Sequence, residues 1–169
     1  MNNRGITLIE LIVVISIITI LVIAAGITIP GLVGKYNIEN QVKIVQADLM
    51  SARVRAMENN RVHFVTLTAT GYAIYEDTSP IPDGNGTLET AADNRMTQRA
   101  FDTRYPITWT NAADTQIDIN TKGIINLNDA RTIWVTPVDT SLNAEYDCIA
   151  ISQTRINIGK WNGASCDQR

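Results

Sequence analysis

The pattern of apolar and polar positions changes period twice along the 169 residues. From Leu11 to Gly34 no residue is charged, and Ile, Val, Leu, Ala and Thr fill most of the 24 positions. At about 1.5 Å per residue, such a run covers the ~30 Å hydrocarbon core of a bilayer as a helix. Apolar residues then recur at alternating steps of four and three, at Ile38, Val42, Val45, Leu49, Ala52 and Ala56. That spacing draws a stripe along one face of an amphipathic helix. Lys35, Glu39, Lys43, Asp48, Arg53, Arg55 and Glu58 fall mostly elsewhere and predict a solvated face. Pro30 and Gly31, with Gly26 and Gly34 nearby, predict a kink between the two halves, because proline removes a backbone donor and crowds the preceding turn. Asn59-Asn60 supplies the stop, since asparagine tolerates the left-handed conformation at a helix end. From Ile6 to Asn59 the helix would be about 80 Å long.

After Arg61 the period becomes two. Val62–Thr68 reads as a strand, Thr70-Gly71 as a turn and Tyr72–Tyr75 as the hairpin partner. Residues Asp77 to Asn94, with Pro80, Pro82, Gly84 and Gly86, form one long polar loop. Further strands are expected at Met96–Phe101, Ile107–Thr110, Gln116–Asn120, Ile124–Leu127, Thr132–Thr136, Cys148–Ser152 and Arg155–Ile158, with a hairpin turn at Thr121-Lys122-Gly123. Many short strands with frequent turn signals predict a small antiparallel two-sheet domain. The fold class is therefore α+β: a long N-terminal helix capped by a β domain.

Three ordinary readings compete for the apolar run. A secretory signal peptide has an apolar core of about 7–15 residues and a small-x-small cleavage site, and this run is too long and has no such site behind it. A helix hidden inside a soluble core is rare at this length in a chain this short. A plain membrane anchor fits, except for Glu10. A carboxylate in hydrocarbon costs about 2.5–3.5 kcal/mol on insertion scales and generally has a partner and a purpose.

Gly5 followed by Ile6-Thr7-Leu8-Ile9-Glu10-Leu11 resembles the class III signal of type IV pilins and type II secretion pseudopilins. The resemblance implies that a prepilin peptidase cuts after Gly5, that Ile6 becomes the N-methylated terminus, and that Glu10 guides subunit assembly. Residues 1–5 would then be a leader, 6–34 the transmembrane and assembly helix, 35–60 the amphipathic spine helix, and 61–169 an exported β-sandwich head. In a fibre of packed apolar helices Glu10 can neutralise the terminal ammonium of a neighbour, and a misplaced subunit would lose that pairing. The family most often has Phe at the cleaved position, where this chain has Ile6. Ala47-Asp48-Leu49-Met50-Ser51-Ala52-Arg53 running into strands is similar to the H-type minor pseudopilins and FimT-type minor pilins. So are Ile117-Asp118-Ile119-Asn120 before Gly123-Ile124-Ile125, and Ile149-Ala150-Ile151-Ser152 before Arg155-Ile156-Asn157-Ile158-Gly159.

Charge narrows the partners. Net charge is −3, and the head from Arg61 onward carries nine basic and thirteen acidic residues. Nonspecific nucleic-acid affinity is mostly phosphate neutralisation, so the charge balance argues against DNA as a partner. DNA-binding members of the resembled group carry a glycine-arginine pattern with several basic residues near the C-terminus, where this chain reads Gln153-Thr154-Arg155-Ile156-Asn157 and then Lys160. Arg4, on the short side of the run, predicts a cytoplasmic N-terminus and an exported head, which the resemblance places in the periplasm at the bacterial inner membrane. Cys148 and Cys166 enclose 17 residues in that exported part, where a disulfide can persist and would contribute about 3 kcal/mol.

Other residues favour structural roles. One histidine and two cysteines fall short of the four ligands of a structural zinc site, and His63 reads as a satisfied or half-exposed strand residue. Asp83, Asn85, Thr87 and Glu89 alternate as calcium ligands can, but Leu88 stands where an EF-hand loop needs glycine and Asn94 where it needs the bidentate glutamate, so a solvated loop is expected. Trp109, Trp134 and Trp161 are expected in the core or packed on a sheet. No nucleophile with a partner base, no phosphate-binding glycine loop and no cofactor motif is present. The reading is a non-enzymatic structural subunit, a minor pilin or pseudopilin. Its implied partners are other pilin-like subunits, a prepilin peptidase and a membrane assembly platform with its ATPase. A tip-located module binding cargo, DNA or a surface, and the major pilin of a fibre, are the alternatives.

Overall fold

The computed structural model of the chain describes residues 6–82, 84–126 and 131–168, and for residues 25–30 the helical backbone alone. The leader with Gly5, the loop residue Asp83 and the expected strand end at Leu127 lie outside the described residues. Helix α1 spans Leu8–Asn59 as a single element, 52 residues long. The helical backbone continues across Pro30, whose side chain is among those not described.

Every position of the amphipathic stripe is buried: Ile38, Val42, Val45, Leu49, Ala52 and Ala56 enter the main core. Asn60 ends the helix in the left-handed conformation, with its N–H donated to Ala56 O. The opposite face is less solvated than its charges predict. Arg53 donates to the carbonyls of Gly123 (2.8 Å) and Thr154 (3.0 Å), and Gln41, buried, donates to Tyr105 O at 2.9 Å. The Asp48 carboxylate accepts both the Tyr72 hydroxyl (2.6 Å) and Arg99 Nε (3.0 Å), fastening the helix to one sheet. Burial, reinforced by Asp48, pushes the Tyr72 hydroxyl well above its ordinary pKa.

Ten strands follow: β1 His63–Thr68, β2 Gly71–Glu76, β3 Asn94–Ala100, β4 Ile107–Trp109, β5 Gln116–Ile119, β6 Ile125–Asn126, β7 Arg131–Val135, β8 Cys148–Ile151, β9 Ile156–Trp161 and β10 Cys166–Gln168. They form two five-stranded sheets, in the orders β3-β2-β1-β5-β6 and β10-β9-β8-β7-β4. All pairings are antiparallel. One face of each sheet joins the helical stripe in a shared core, through Val65, Leu67 and Ile117 from the first and Ile133, Ile149 and Ile156 from the second.

The expected strands are present with shifted ends, and β10 is an addition. Gly71 is not in the first turn but opens β2, paired with Thr68. In the turn before β6, Gly123 has φ 69°, and Asn120 Oδ1 accepts the N–H groups of Lys122 (2.9 Å) and Ile124 (3.0 Å). Trp109 is buried in the core, whereas Trp134 and Trp161 are not core residues: half-buried, they stack on each other at 4.2 Å and 2°. Alternation turns them to the face opposite Ile133 and Ile158.

The long loop is less solvated than expected. It covers a small second cluster on the other face of the first sheet, where Leu88 and Val62 pack on Phe64, Ala73 and Tyr75. Two buried carboxylates organise it. Asp77 accepts the N–H groups of Asn85 (3.2 Å) and Gly86 (2.6 Å). Asp93 accepts those of Thr78 (3.0 Å), Ser79 (3.2 Å) and Glu89 (2.8 Å). Asp93→Ala leaves three donors without their acceptor beside a closed surface, so we expect a loss of about 2–4 kcal/mol in urea unfolding, with Asp118→Ala, on the same sheet, near neutral.

Candidate functional site: the N-terminal assembly face

Thr7 is the N-cap of α1, with φ −78° and ψ 151°. Its hydroxyl accepts the Glu10 N–H at 3.3 Å, and its carbonyl accepts the Leu11 N–H at 3.2 Å. Thr7-Leu8-Ile9-Glu10 thus has the spacing of a capping box, with a carboxylate in the first turn where the helix dipole favours negative charge. The sequence reading treated Glu10 as an assembly residue and overlooked this local role, which the Thr-x-x-Glu spacing signals.

Beyond Glu10 the helix exposes apolar side chains on every side. All described residues from Ile6 to Ala24 are exposed. Two of the run's hydroxyls, among the described side chains, are turned inward: Ser16 donates to Ile12 O and Thr19 to Ile15 O, both at 2.7 Å. Each hydroxyl satisfies itself on its own helix, so neither presents an unmet donor to an apolar surrounding. Among the described residues no helix is long and apolar enough to cross a membrane. The described side chains of the run stop at Ala24 and resume at Gly31, so its full length rests on the sequence.

The remaining candidates lie in the head. Cys148 and Cys166 form a disulfide with Cα atoms 5.8 Å apart, joining β8 to β10 across β9. In the long loop Thr87 Oγ1 donates to Asn85 Oδ1 (2.6 Å) and Asn85 Nδ2 to Glu89 Oε1 (2.7 Å), so these side chains bind one another and are not splayed around a common centre. No group of three or more metal-ligating side chains occurs among the described residues.

His63 departs from its reading as a satisfied or half-exposed residue. It is fully buried, its Nδ1 lies 3.1 Å from Arg61 O, and its Nε2 has no partner. Burial lowers its pKa below 6.5, against the opposing pull of the Arg61 carbonyl and Glu76. The folded head therefore holds His63 neutral. Its contribution to stability is fully present above pH 6.5 and is lost as the pH falls below 6.5 toward the lowered folded value. We expect the melting temperature to drop between pH 7 and 5, and His63→Leu to remove part of that drop, as read by circular dichroism.

Residues 1–26 match the family model described as the prokaryotic N-terminal methylation motif. No curated protein matches the sequence. Solved structures that share the fold include two minor subunits. The type IV minor pilin FimU of Pseudomonas aeruginosa is 14% identical with a TM-score of 0.54, over 76% of this chain and 92% of that one. The minor pseudopilin EpsH from the type 2 secretion system of Vibrio cholerae is 7% identical with a TM-score of 0.50, over 71% of this chain and 94% of that one. The chain thus joins a prokaryotic N-terminal methylation motif, over its first 26 residues, to an α+β fold similar to those of a minor pilin and a minor pseudopilin.

Proposed function

We propose that this protein is a structural subunit, a minor pilin or pseudopilin, that polymerises through its N-terminal helix. The observation that carries the reading is the methylation motif seated on a capped helix whose described apolar residues are exposed on every side, ahead of a head that packs its own core. A surface of that kind needs lipid before assembly and other helices after it. The precursor inserts with its N-terminus in the cytoplasm and its head in the periplasm, is cut after Gly5, and is methylated at Ile6. An assembly platform with its ATPase then lifts it into the fibre. Pro30 lets the anchor half bend relative to the spine half. The excess of acidic over basic residues in the head disfavours a DNA-binding role.

Quantitative mass spectrometry of sheared fibres and of the membrane fraction tests this. A methylated peptide starting at Ile6, in trace amounts or confined to the envelope, is the expected result. The same peptide dominating the fibres identifies the major pilin instead, and an intact Met1 terminus throughout overturns the reading.

A further inference from the structure

The lower end of the head meets α1 where the apolar run ends. Leu142 lies against Gly34 so closely that a Cβ there would come within 2.8 Å of its methyl groups. Beside this contact, the chain from Val138 to Leu142 and the helix at Gly31 and Gly34 enclose a groove of about 450 Å³, with Arg104 at its rim. Val138 N–H donates to Arg104 O at 3.0 Å, which ties the loop to the base, yet the Val138 side chain is 73% exposed. Tyr36, just above the groove, is 68% exposed, and Lys35 beside it is half-buried.

The height of this base follows from the length of the run. A hydrocarbon core of ~30 Å takes about 20 helical residues. Counted from Leu11, its outer edge falls at Pro30–Gly31, which puts Gly34, Tyr36 and the 138–142 loop in the headgroup layer. Aromatic rings and lysines are enriched at that level, and an apolar side chain such as valine gains by reaching below it. Charge fits as well. Arg104 pairs with Asp102, Asp139 lines the groove and Lys35 follows Gly34 on the helix, so the base carries both signs, as a zwitterionic lipid surface does.

We propose that the base of the head docks on zwitterionic phospholipid, with Val138 in the headgroup layer and the Gly31–Gly34 groove closed by lipid, holding the unassembled subunit at one height in the membrane. The proposal rests on the membrane-spanning reading of the run. It is tested on the full chain in phosphatidylcholine vesicles, with a nitroxide on Val138→Cys, on Ile18→Cys inside the run, and on Ile81→Cys. Ile81 is 89% exposed and lies next to Pro82, whose carbonyl accepts from Arg61 past the far end of α1. Collision rates with oxygen and with a water-soluble nickel complex are compared. The expected result is a several-fold higher oxygen-to-nickel ratio at 138 than at 81, below that at 18. A ratio at 138 equal to that at 81, with 18 in lipid, overturns the docking alone. Low collision with both relaxants at 138 identifies a protein neighbour and likewise overturns it. A water-exposed label at 18 overturns the membrane-spanning reading and the docking together.

Discussion

Replacing Glu10 by leucine is expected to leave membrane insertion intact and to lower incorporation into fibres by about tenfold or more. Removing the carboxylate makes the run more apolar, so insertion cannot suffer. In the fibre, however, the terminal ammonium of a neighbouring subunit would face apolar helices without its counter-charge. Breaking one side of a buried pair costs about 3–5 kcal/mol, against the 1.4 kcal/mol that a factor of ten represents. The structure adds a competitor to this reading, because Glu10 also sits three residues after the N-cap Thr7, which accepts its N–H at 3.3 Å. Glu10→Gln separates the two. Glutamine serves a capping box as well as glutamate does, but carries no charge. If charge pairing between subunits is the role, both variants fail to enter fibres, read by immunoblot of sheared fibres against the membrane fraction. Wild-type incorporation of Glu10→Gln with failure of Glu10→Leu would assign the residue to helix capping instead.

The parts of this protein that were legible in the sequence are those set by local period. The stripe from Ile38 to Ala56 was readable residue by residue, because 3.6-residue spacing and burial are the same fact seen in one and three dimensions. Alternation placed nine strands but was applied incompletely. His63 shares a face with Val65 and Leu67, and Trp134 lies between Ile133 and Val135, so the burial of one and the outward turn of the other were both available. Other features have no local signal. Asp77 and Asp93 look like loop carboxylates, and only the folded loop shows their oxygens collecting five N–H groups from several residues away. Strand β10 has no alternation of its own in Cys166-Asp167-Gln168. It exists because β9 offers an edge and Cys148 a bond. Near the start of the helix, the capping by Thr7 was legible from the Thr-x-x-Glu spacing but overshadowed by the assembly role expected of Glu10.

Removing the Cys148–Cys166 bridge, as the double change Cys148→Ala with Cys166→Ala, is expected to destabilise the head by about 3 kcal/mol. The bridge closes a loop of 18 residues, and loop-closure entropy for that length gives this magnitude. For a domain of this size the loss lowers the melting temperature by about 10–20 °C. The effect is not spread evenly. β10 is a three-residue edge strand, paired only with β9, and its approach is so close that a Cβ on Gly159 would lie 2.1 Å from Asp167 O. Without the covalent link, the register Cys166↔Trp161, Asp167↔Lys160 and Gln168↔Gly159 depends on a few backbone bonds and on the Asn157–Gln168 side-chain bond of 2.7 Å. Amide exchange at Asp167 and Gln168 should therefore rise before any change in β7 or β8, whose Ile133, Ile149 and Ile151 lie in the main core. Access to the bond follows the same logic. Cys148 is fully buried, and the register partners of the two cysteines, Trp134 and Trp161, stack on each other alongside. In native buffer, dithiothreitol should reduce the bridge only at the rate at which β10 opens, and Trp134→Ala should speed that reaction several-fold without removing the bridge. Equal reduction rates in the two proteins would mean that the tryptophan pair does not shield the sulfurs, and an unchanged melting temperature in the double variant would mean that β9 alone holds the C-terminal strand.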